Sequence, residues 1–292
     1  MKLMRLPAAF TLVWLASCAQ APEEVPPLER LTTEVPLIAR DDILVPGETC
    51  VYRVSWGILP VGEVTYTLRN VSTTAGELLE LTAVTRPSAF LKVFLRVSGT
   101  SRSLIDPATF LPLASLWTTT DGETSQVRSV DFRQEEAEAF SVKYAPDWQV
   151  MRHVRGSGLR DPLSAVYLAR LLVVPEEGEE IRFVIVEGRN THLMTVRGAG
   201  RTTGRYLGRD VPCWKLAIRT DRIDEEGRFM DEQPWNNFFA WVAETPHRPL
   251  LKMSGKTLYA RVTLTLSHRG LHASAPGDER RRADAWSRAD RP

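Results

Sequence analysis

Cys50-Val51-Tyr52-Arg53-Val54-Ser55-Trp56-Gly57-Ile58-Leu59-Pro60-Val61-Gly62-Glu63-Val64-Thr65-Tyr66-Thr67-Leu68 is the stretch that decides the fold class. Cys50, Tyr52, Val54 and Trp56 share one face, with Arg53 and Ser55 on the other. After a break, Val64, Tyr66 and Leu68 oppose Glu63, Thr65 and Thr67. Alternation at period two is the mark of a strand with one buried face. Between the two runs, Ile58-Leu59-Pro60 sits beside Gly57 and Gly62, which suits a tight connection between antiparallel strands.

Working outward, the same pattern recurs at Leu79–Thr85, Arg96–Ile105, Leu113–Thr119, Thr124–Phe132 and Ala137–Tyr144. It resumes at Ile181–Glu187, Thr191–Arg197, Pro212–Thr220, Asn237–Val242, Pro249–Met253 and Thr257–Ser267. Turn signals such as Ala75-Gly76, Asp121-Gly122 and Glu187-Gly188-Arg189-Asn190 fall between the runs. One segment breaks the pattern. Asp161-Pro162 opens Leu163-Ser164-Ala165-Val166-Tyr167-Leu168-Ala169-Arg170-Leu171-Leu172 as an N-cap followed by a proline suited to the first helical position. Leu168, Leu171 and Leu172 form its apolar stripe, and a shorter turn is expected from Pro87-Ser88, carrying Phe90 and Leu91. The expected fold is mainly β: a large antiparallel β-barrel, half-barrel or sandwich with one covering or plugging α-helix at about 161–173.

The chain has 292 residues, 43% of them hydrophobic, with 37 Lys+Arg against 36 Asp+Glu. That charge balance argues against a generally basic nucleic-acid binder and against a highly charged disordered chain. A chain this long buries a self-sufficient core without a disulfide framework.

The two ends read differently from the middle. Lys2 and Arg5 precede an uncharged, mostly apolar run from Leu6 to Leu15, too short to cross a bilayer. This is the pattern of an export signal. Leu15-Ala16-Ser17-Cys18 resembles the bacterial lipobox, which implies lipidation at Cys18 and an acyl anchor. Ala19 at the next position favours the outer membrane over the inner. Residues 1–17 are then a signal peptide, and 18–46 a proline-interrupted linker acting as a semi-stiff spacer. Residues 47–268 form the β-rich domain, and 269–292 a charged, disordered tail. Cys50 and Cys213 remain, candidates either for a disulfide or for two buried thiols.

Val45-Pro46-Gly47-Glu48, Tyr52-Arg53-Val54-Ser55-Trp56-Gly57 and Val61-Gly62-Glu63 resemble the opening of the bacterial domain-of-unknown-function 3108 family. Ile105-Asp106-Pro107, Leu111-Pro112 and Val130-Asp131-Phe132 resemble its middle, and Asp161–Arg170 its most recognisable block. Val211-Pro212-Cys213-Trp214-Lys215-Leu216, Trp241, Arg248-Pro249-Leu250 and Val262 continue the likeness. It covers roughly Pro46 to Ser267 and departs after Asp221, where Arg222–Asn237 is a lengthened, charged loop. The resemblance implies an exported, mostly β domain, often lipid-anchored in Gram-negative bacteria. It implies no catalytic residues.

The residues themselves carry no recognisable chemistry. H-E-x-x-H, C-x-x-C, G-x-x-x-x-G-K and G-x-S-x-G are all absent. Gly198-Ala199-Gly200-Arg201-Thr202-Thr203-Gly204 misses the dinucleotide spacing and reads as a bend between strands. His153, His192, His247, His268 and His272 are scattered singly, without metal-ligand spacing. No cofactor or metal is expected. In Pro234–Trp241, the densest aromatic stretch, Trp235, Phe239 and Trp241, together with Leu168 of the helix, are candidates for a ligand groove. A strand in this stretch can instead turn Phe238 and Ala240, or Phe239 and Trp241, into the core, and the second pair is preferred. Two functions survive. One is a non-enzymatic envelope lipoprotein facing the periplasm, binding an apolar or amphiphilic ligand or an envelope partner. The alternative is a hydrolase or transferase acting on glycan or lipid, its site assembled from distant residues.

Overall fold

The computed structural model describes residues 28–39, 43–73, 76–88, 97–121, 124–145, 148–188, 190–230, 237–256 and 261–271. Fourteen strands build one antiparallel sheet. The first eight are β1 (Glu48–Trp56), β2 (Leu59–Thr73), β3 (Gly76–Pro87), β4 (Val97–Ile105), β5 (Pro112–Asp121), β6 (Thr124–Arg133), β7 (Glu138–Ala145) and β8 (Trp148–Arg155). After the helix come β9 (Ile181–Glu187), β10 (Asn190–Tyr206), β11 (Arg209–Ile223), β12 (Asn237–Ala243), β13 (Leu250–Lys256) and β14 (Arg261–Leu271). Their order is β8-β7-β6-β5-β4-β3-β2-β1-β14-β13-β12-β11-β10-β9, so β1 and β14 meet in the middle and β8 and β9 are the two edges. The mainly β expectation holds. Beyond the sequence reading, β8 is an additional strand, and Gly198–Gly204 is no bend between strands but a continuation of β10, with a register shift between Gly198 and Arg201.

The sheet rolls into a nearly closed barrel, and its closure is unusual. On β9, Ile181, Phe183 and Ile185 belong to the main core, while Val184 and Val186 on the opposite face belong to a second cluster. That second cluster also contains Val130 and Phe132 of β6, Ala139 of β7 and Val154 of β8. The β6–β8 end therefore laps over the outer face of β9–β11, like the free edge of a scroll. Burial on both faces explains why Ile181-Arg182-Phe183-Val184-Ile185-Val186 reads as an almost unbroken apolar run. The β9 edge is capped rather than paired with β8. Arg160 N–H donates to Val184 O at 3.0 Å, Val186 N–H to Arg160 O at 2.8 Å, and Thr33 N–H to Arg182 O at 2.8 Å. Such covering blunts an edge that would otherwise template aggregation.

Helix α1 (Leu28–Leu31) is one short turn, and α2 (Pro162–Leu171) is the helix read from the sequence. Asp161 has extended backbone, and its carboxylate accepts from Leu163 N–H at 2.8 Å and Ser164 N–H at 3.1 Å, as an N-cap should. Leu163, Ala165, Tyr167, Leu168 and Leu171 are all buried, so α2 is enclosed nearly all round. It fills the barrel rather than covering it, in one cluster with Leu68 and Leu81 of the wall.

One sequence expectation changes, and one open alternative is decided. The segment read as a spacer is docked where it is described: Leu28, Leu31, Ile43 and Leu44 are buried, and Ile38 N–H donates to Leu171 O at 2.8 Å. Burying these apolar side chains outweighs the extended preference of the surrounding prolines. Cys50 and Cys213 are free, buried thiols in different clusters. Three strands, β14, β13 and β12, lie between β1 and β11. Four ladder steps of about 4.8 Å amount to about 19 Å along the sheet, against the roughly 7 Å a disulfide spans. Cys18, Phe90, Leu91, Trp235 and the tail beyond Leu271 lie outside the described residues.

Candidate functional site

Alternation along each strand decides which side chains look into the barrel beside the N-terminal end of α2. His192 and Met194 of β10, Phe238 of β12, Met253 of β13 and Leu264 of β14 line an open cleft of about 420 Å³, with Pro162 at its helical wall. Phe238, Met194, Met253 and Leu264 also pack against the main core, so the apolar floor of the cleft is continuous with the interior. Methionines suit such a wall because an unbranched thioether adapts to the shape of what it meets.

One edge is polar. His192 Nε2 lies 3.9 Å from Glu187 Oε2, beyond hydrogen-bond length, and Glu187 Oε1 lies 3.7 Å from Arg128 Nη1. His192 Nδ1 is buried and has no protein partner. Burial, with the charge of Arg222, pushes the imidazole below its ordinary range, which keeps it neutral near pH 7. Burial pushes Glu187 up, against the pull of Arg128. The cleft is thus an apolar hollow with a few polar groups at one end, the composition of sites for small amphiphilic molecules. Among the described residues, the serine on the cleft wall, Ser254, has its Oγ engaged with Thr263 Oγ1 at 3.0 Å.

A second polar constellation lies in the core. Glu48, fully buried, receives Arg170 Nη1 at 2.6 Å and Nη2 at 3.2 Å, and also Arg269 Nε. Burial alone would raise the carboxyl pKa, but the two guanidinium groups reverse this and hold Glu48 below the usual carboxylate range. Arg170 also donates to the carbonyls of Ile43 at 3.1 Å, His247 at 2.7 Å and Arg248 at 3.2 Å. It therefore ties α2 to the N-terminal segment and to the β12–β13 connection. Nearby, burial pushes the Cys50 thiol up to about 12. At the other end of α2, Asp161 accepts from Ser103 Oγ at 2.7 Å, and Arg160 Nη1 donates to Phe110 O at 2.7 Å.

Among the described residues, the structure does not bring the candidate groove of the sequence reading together. Leu168 is wholly buried in the core. Phe238, Ala240 and Val242 turn toward that core, so Phe239 and Trp241 occupy the opposite face of β12, their ring centres 6.1 Å apart. There Lys215 Nζ sits 4.2 Å from the Phe239 ring centre, and Lys252 Nζ 4.9 Å from that of Trp241. The sequence reading missed His192, Glu187 and the methionines. Lying two residues apart on one strand, His192 and Met194 needed only the correct face to be found. Among the described residues, no group of three or more His, Cys, Asp or Glu side chains is placed to hold a metal ion, and no helix is long and apolar enough to cross a membrane.

Comparison with solved structures supports the architecture. A β-barrel-like protein of domain of unknown function DUF1849 from Brucella abortus superposes with a TM-score of 0.51 at 9% identity, over 80% of this chain and 100% of its own. At that identity the likeness concerns the fold alone. A candidate lipoprotein from Parabacteroides distasonis gives a TM-score of 0.31 at 6% identity, over 78% of this chain and 97% of its own, too slight a likeness to carry an argument. No curated protein matches the chain. The family described as "Protein of unknown function (DUF3108)" matches residues 51–267, from β1 into β14, and the chain belongs to that family.

Proposed function

We propose that the protein is an exported bacterial lipoprotein, anchored in the cell envelope through acylated Cys18, that binds an apolar or amphiphilic molecule in the cleft beside Pro162. The observation that carries the binding role is the cleft itself, with an adaptable floor of Met194, Phe238, Met253 and Leu264 and a polar edge at His192 and Glu187. An acyl or prenyl chain fits the floor, and a polar head group suits the edge formed by His192 and Glu187. The export signal and lipobox support the location, the outer membrane being favoured.

Native mass spectrometry of the full chain, isolated gently and compared with its organic extract, tests the binding role. A bound amphiphile is expected, and Met253→Gln, which keeps the side chain's size while making the floor polar, should lower the bound fraction, with circular dichroism checking that the barrel is retained. A chain that carries nothing and takes up no fluorescent apolar probe sinks this reading. For the anchor, a labelled fatty acid should mark the protein, and Cys18→Ser should abolish the label.

The His192–Glu187 pair favours a second reading, an envelope hydrolase or transferase on glycan or lipid. Under it, His192→Gln abolishes turnover of a lipid or glycan ester while leaving probe binding intact; under the binding role there is no turnover to lose.

A further inference from the structure

The turn between β1 and β2 projects from the barrel end at which the cleft opens. Trp56 is cross-strand partner both to Leu59 and to Val262, and Val262 lines the cleft. At the tip, Gly57 takes a φ of +60°, which lets the chain reverse tightly and leaves Ile58 97% exposed. Leu59 is 55% exposed and Trp56 44%. Three large apolar side chains around one turn are thus partly or wholly in water, and clustered exposure of this kind marks an interaction site. Phe229 and Met230, following β11 at the same end, are exposed as well.

Basic side chains stand just behind the tip. Arg86 is exposed next to Pro87, whose backbone lies opposite Gly62. Lys256 and Arg261, cross-strand partners at the ends of β13 and β14, are exposed too, and Arg261 O accepts from Gly57 N–H at 2.7 Å. An apolar tip with a tryptophan at its base and a basic collar behind it is complementary to one kind of surface. Apolar side chains reach the acyl boundary, the indole sits at the headgroup level, and the cations meet lipid phosphates.

We infer that the Trp56–Leu59 turn is a membrane-docking tip that seats this end of the barrel, and with it the mouth of the cleft, on an anionic bilayer. The tip is exposed whether or not the cleft binds anything, so this inference stands apart from the ligand reading. An acyl anchor would hold the chain near a bilayer without orienting it; the tip supplies the orientation.

The test places a reporter at each end of the barrel. Ile58→Cys and, at the β10–β11 turn, Leu207→Cys are labelled separately with an environment-sensitive fluorophore in the full chain, the parent chain giving the background. Cys50 and Cys213 are buried and compete little for the reagent. Each protein is incorporated into vesicles of equal parts phosphatidylethanolamine and phosphatidylglycerol carrying a lipid-borne quencher. Quenching at position 58 should exceed that at 207 several-fold, and should fall when Arg86→Glu and Lys256→Glu are added. Equal quenching at both positions, or a label at 58 that stays in water, overturns the proposal and leaves the tip to a protein partner.

Discussion

Replacing Glu48 by Gln keeps the shape of the side chain and removes its charge. In the native state that charge faces two guanidinium groups, with Arg170 held in a two-point contact at 2.6 and 3.2 Å and Arg269 beside it. Glu48 is wholly buried and Arg170 nearly so, so little solvent remains to neutralise the cations left behind. Breaking one partner out of a buried charged set costs about 3–5 kcal/mol, a large share of the roughly 5–15 kcal/mol that holds a domain folded. For a domain of this size each kcal/mol shifts the melting midpoint by about 2–4 °C, so Glu48→Gln should melt about 6–20 °C below the parent. Thermal unfolding followed by tryptophan fluorescence, with urea unfolding as a cross-check, reads this directly. The sign with pH follows from the lowered pKa of Glu48. Its contribution is fully present above the ordinary carboxylate pKa and is lost as pH falls through the depressed value in the folded state. The gap between parent and variant should therefore close in acid. Arg170→Met should cost at least as much as Glu48→Gln, because it also strands the carbonyls of Ile43, His247 and Arg248, and the double variant should cost less than the sum. A Glu48→Gln protein melting within about 2 °C of the parent at neutral pH would refute the assignment of this network as a structural clasp.

Leu168→Ala should cost about 2–5 kcal/mol in urea unfolding, because Leu168 is fully enclosed. Uptake of an apolar probe should survive that change, since Leu168 does not line the cleft. Asp161→Ala should destabilise by at least the roughly 1 kcal/mol typical of a lost N-cap, because it also strands the Ser103 hydroxyl; circular dichroism during urea unfolding measures it. Gly198→Ala would drive a Cβ into the backbone carbonyl of Pro175, where the chain leaving α2 crosses β10. It should lower the melting midpoint by several degrees, whereas Gly208→Ala, with open space at the β10–β11 turn, should cost only its backbone strain. Cys50 and Cys213 should react with a thiol reagent only after denaturation, Cys50 being both buried and raised to about 12.

Local pattern made most of the sheet legible. The alternation in Cys50–Leu68 and the Asp161-Pro162 cap each depend on neighbours a few residues apart, and each forms as the sequence indicates. What stayed hidden depends on pairing at long range. Asn237-Phe238-Phe239-Ala240-Trp241-Val242 is apolar on both faces, so periodicity alone does not choose between Phe238 and Phe239 for the interior. The choice comes from the register with β11, which sets Ala240 against Leu216. The β9 run carries the trace of its double burial, but nothing local says that β6–β8 provides the second layer. Arg170 and Arg269 lie 122 and 221 positions from Glu48, and singly each of the three is an ordinary charged residue. The same holds for His192, which acquires meaning only once Met253 and Leu264 are folded opposite it.

The meeting of β1 and β14 in the middle of the sheet has a consequence for how the chain assembles. Of the thirteen ladders, twelve join strands adjacent in sequence, and the β1–β14 ladder alone joins the two halves. Each half can fold as a meander of hairpins with small loop-closure entropy, whereas the joining ladder brings together residues about two hundred positions apart. Until the last strand arrives, β1 exposes an unpaired edge bearing Tyr52 and Val54, and the hollow that α2 fills has only part of its wall. A chain emerging N-terminus first thus carries its most association-prone surface through the whole of its own synthesis. That interval, rather than the finished barrel, is where a holding chaperone has most to protect.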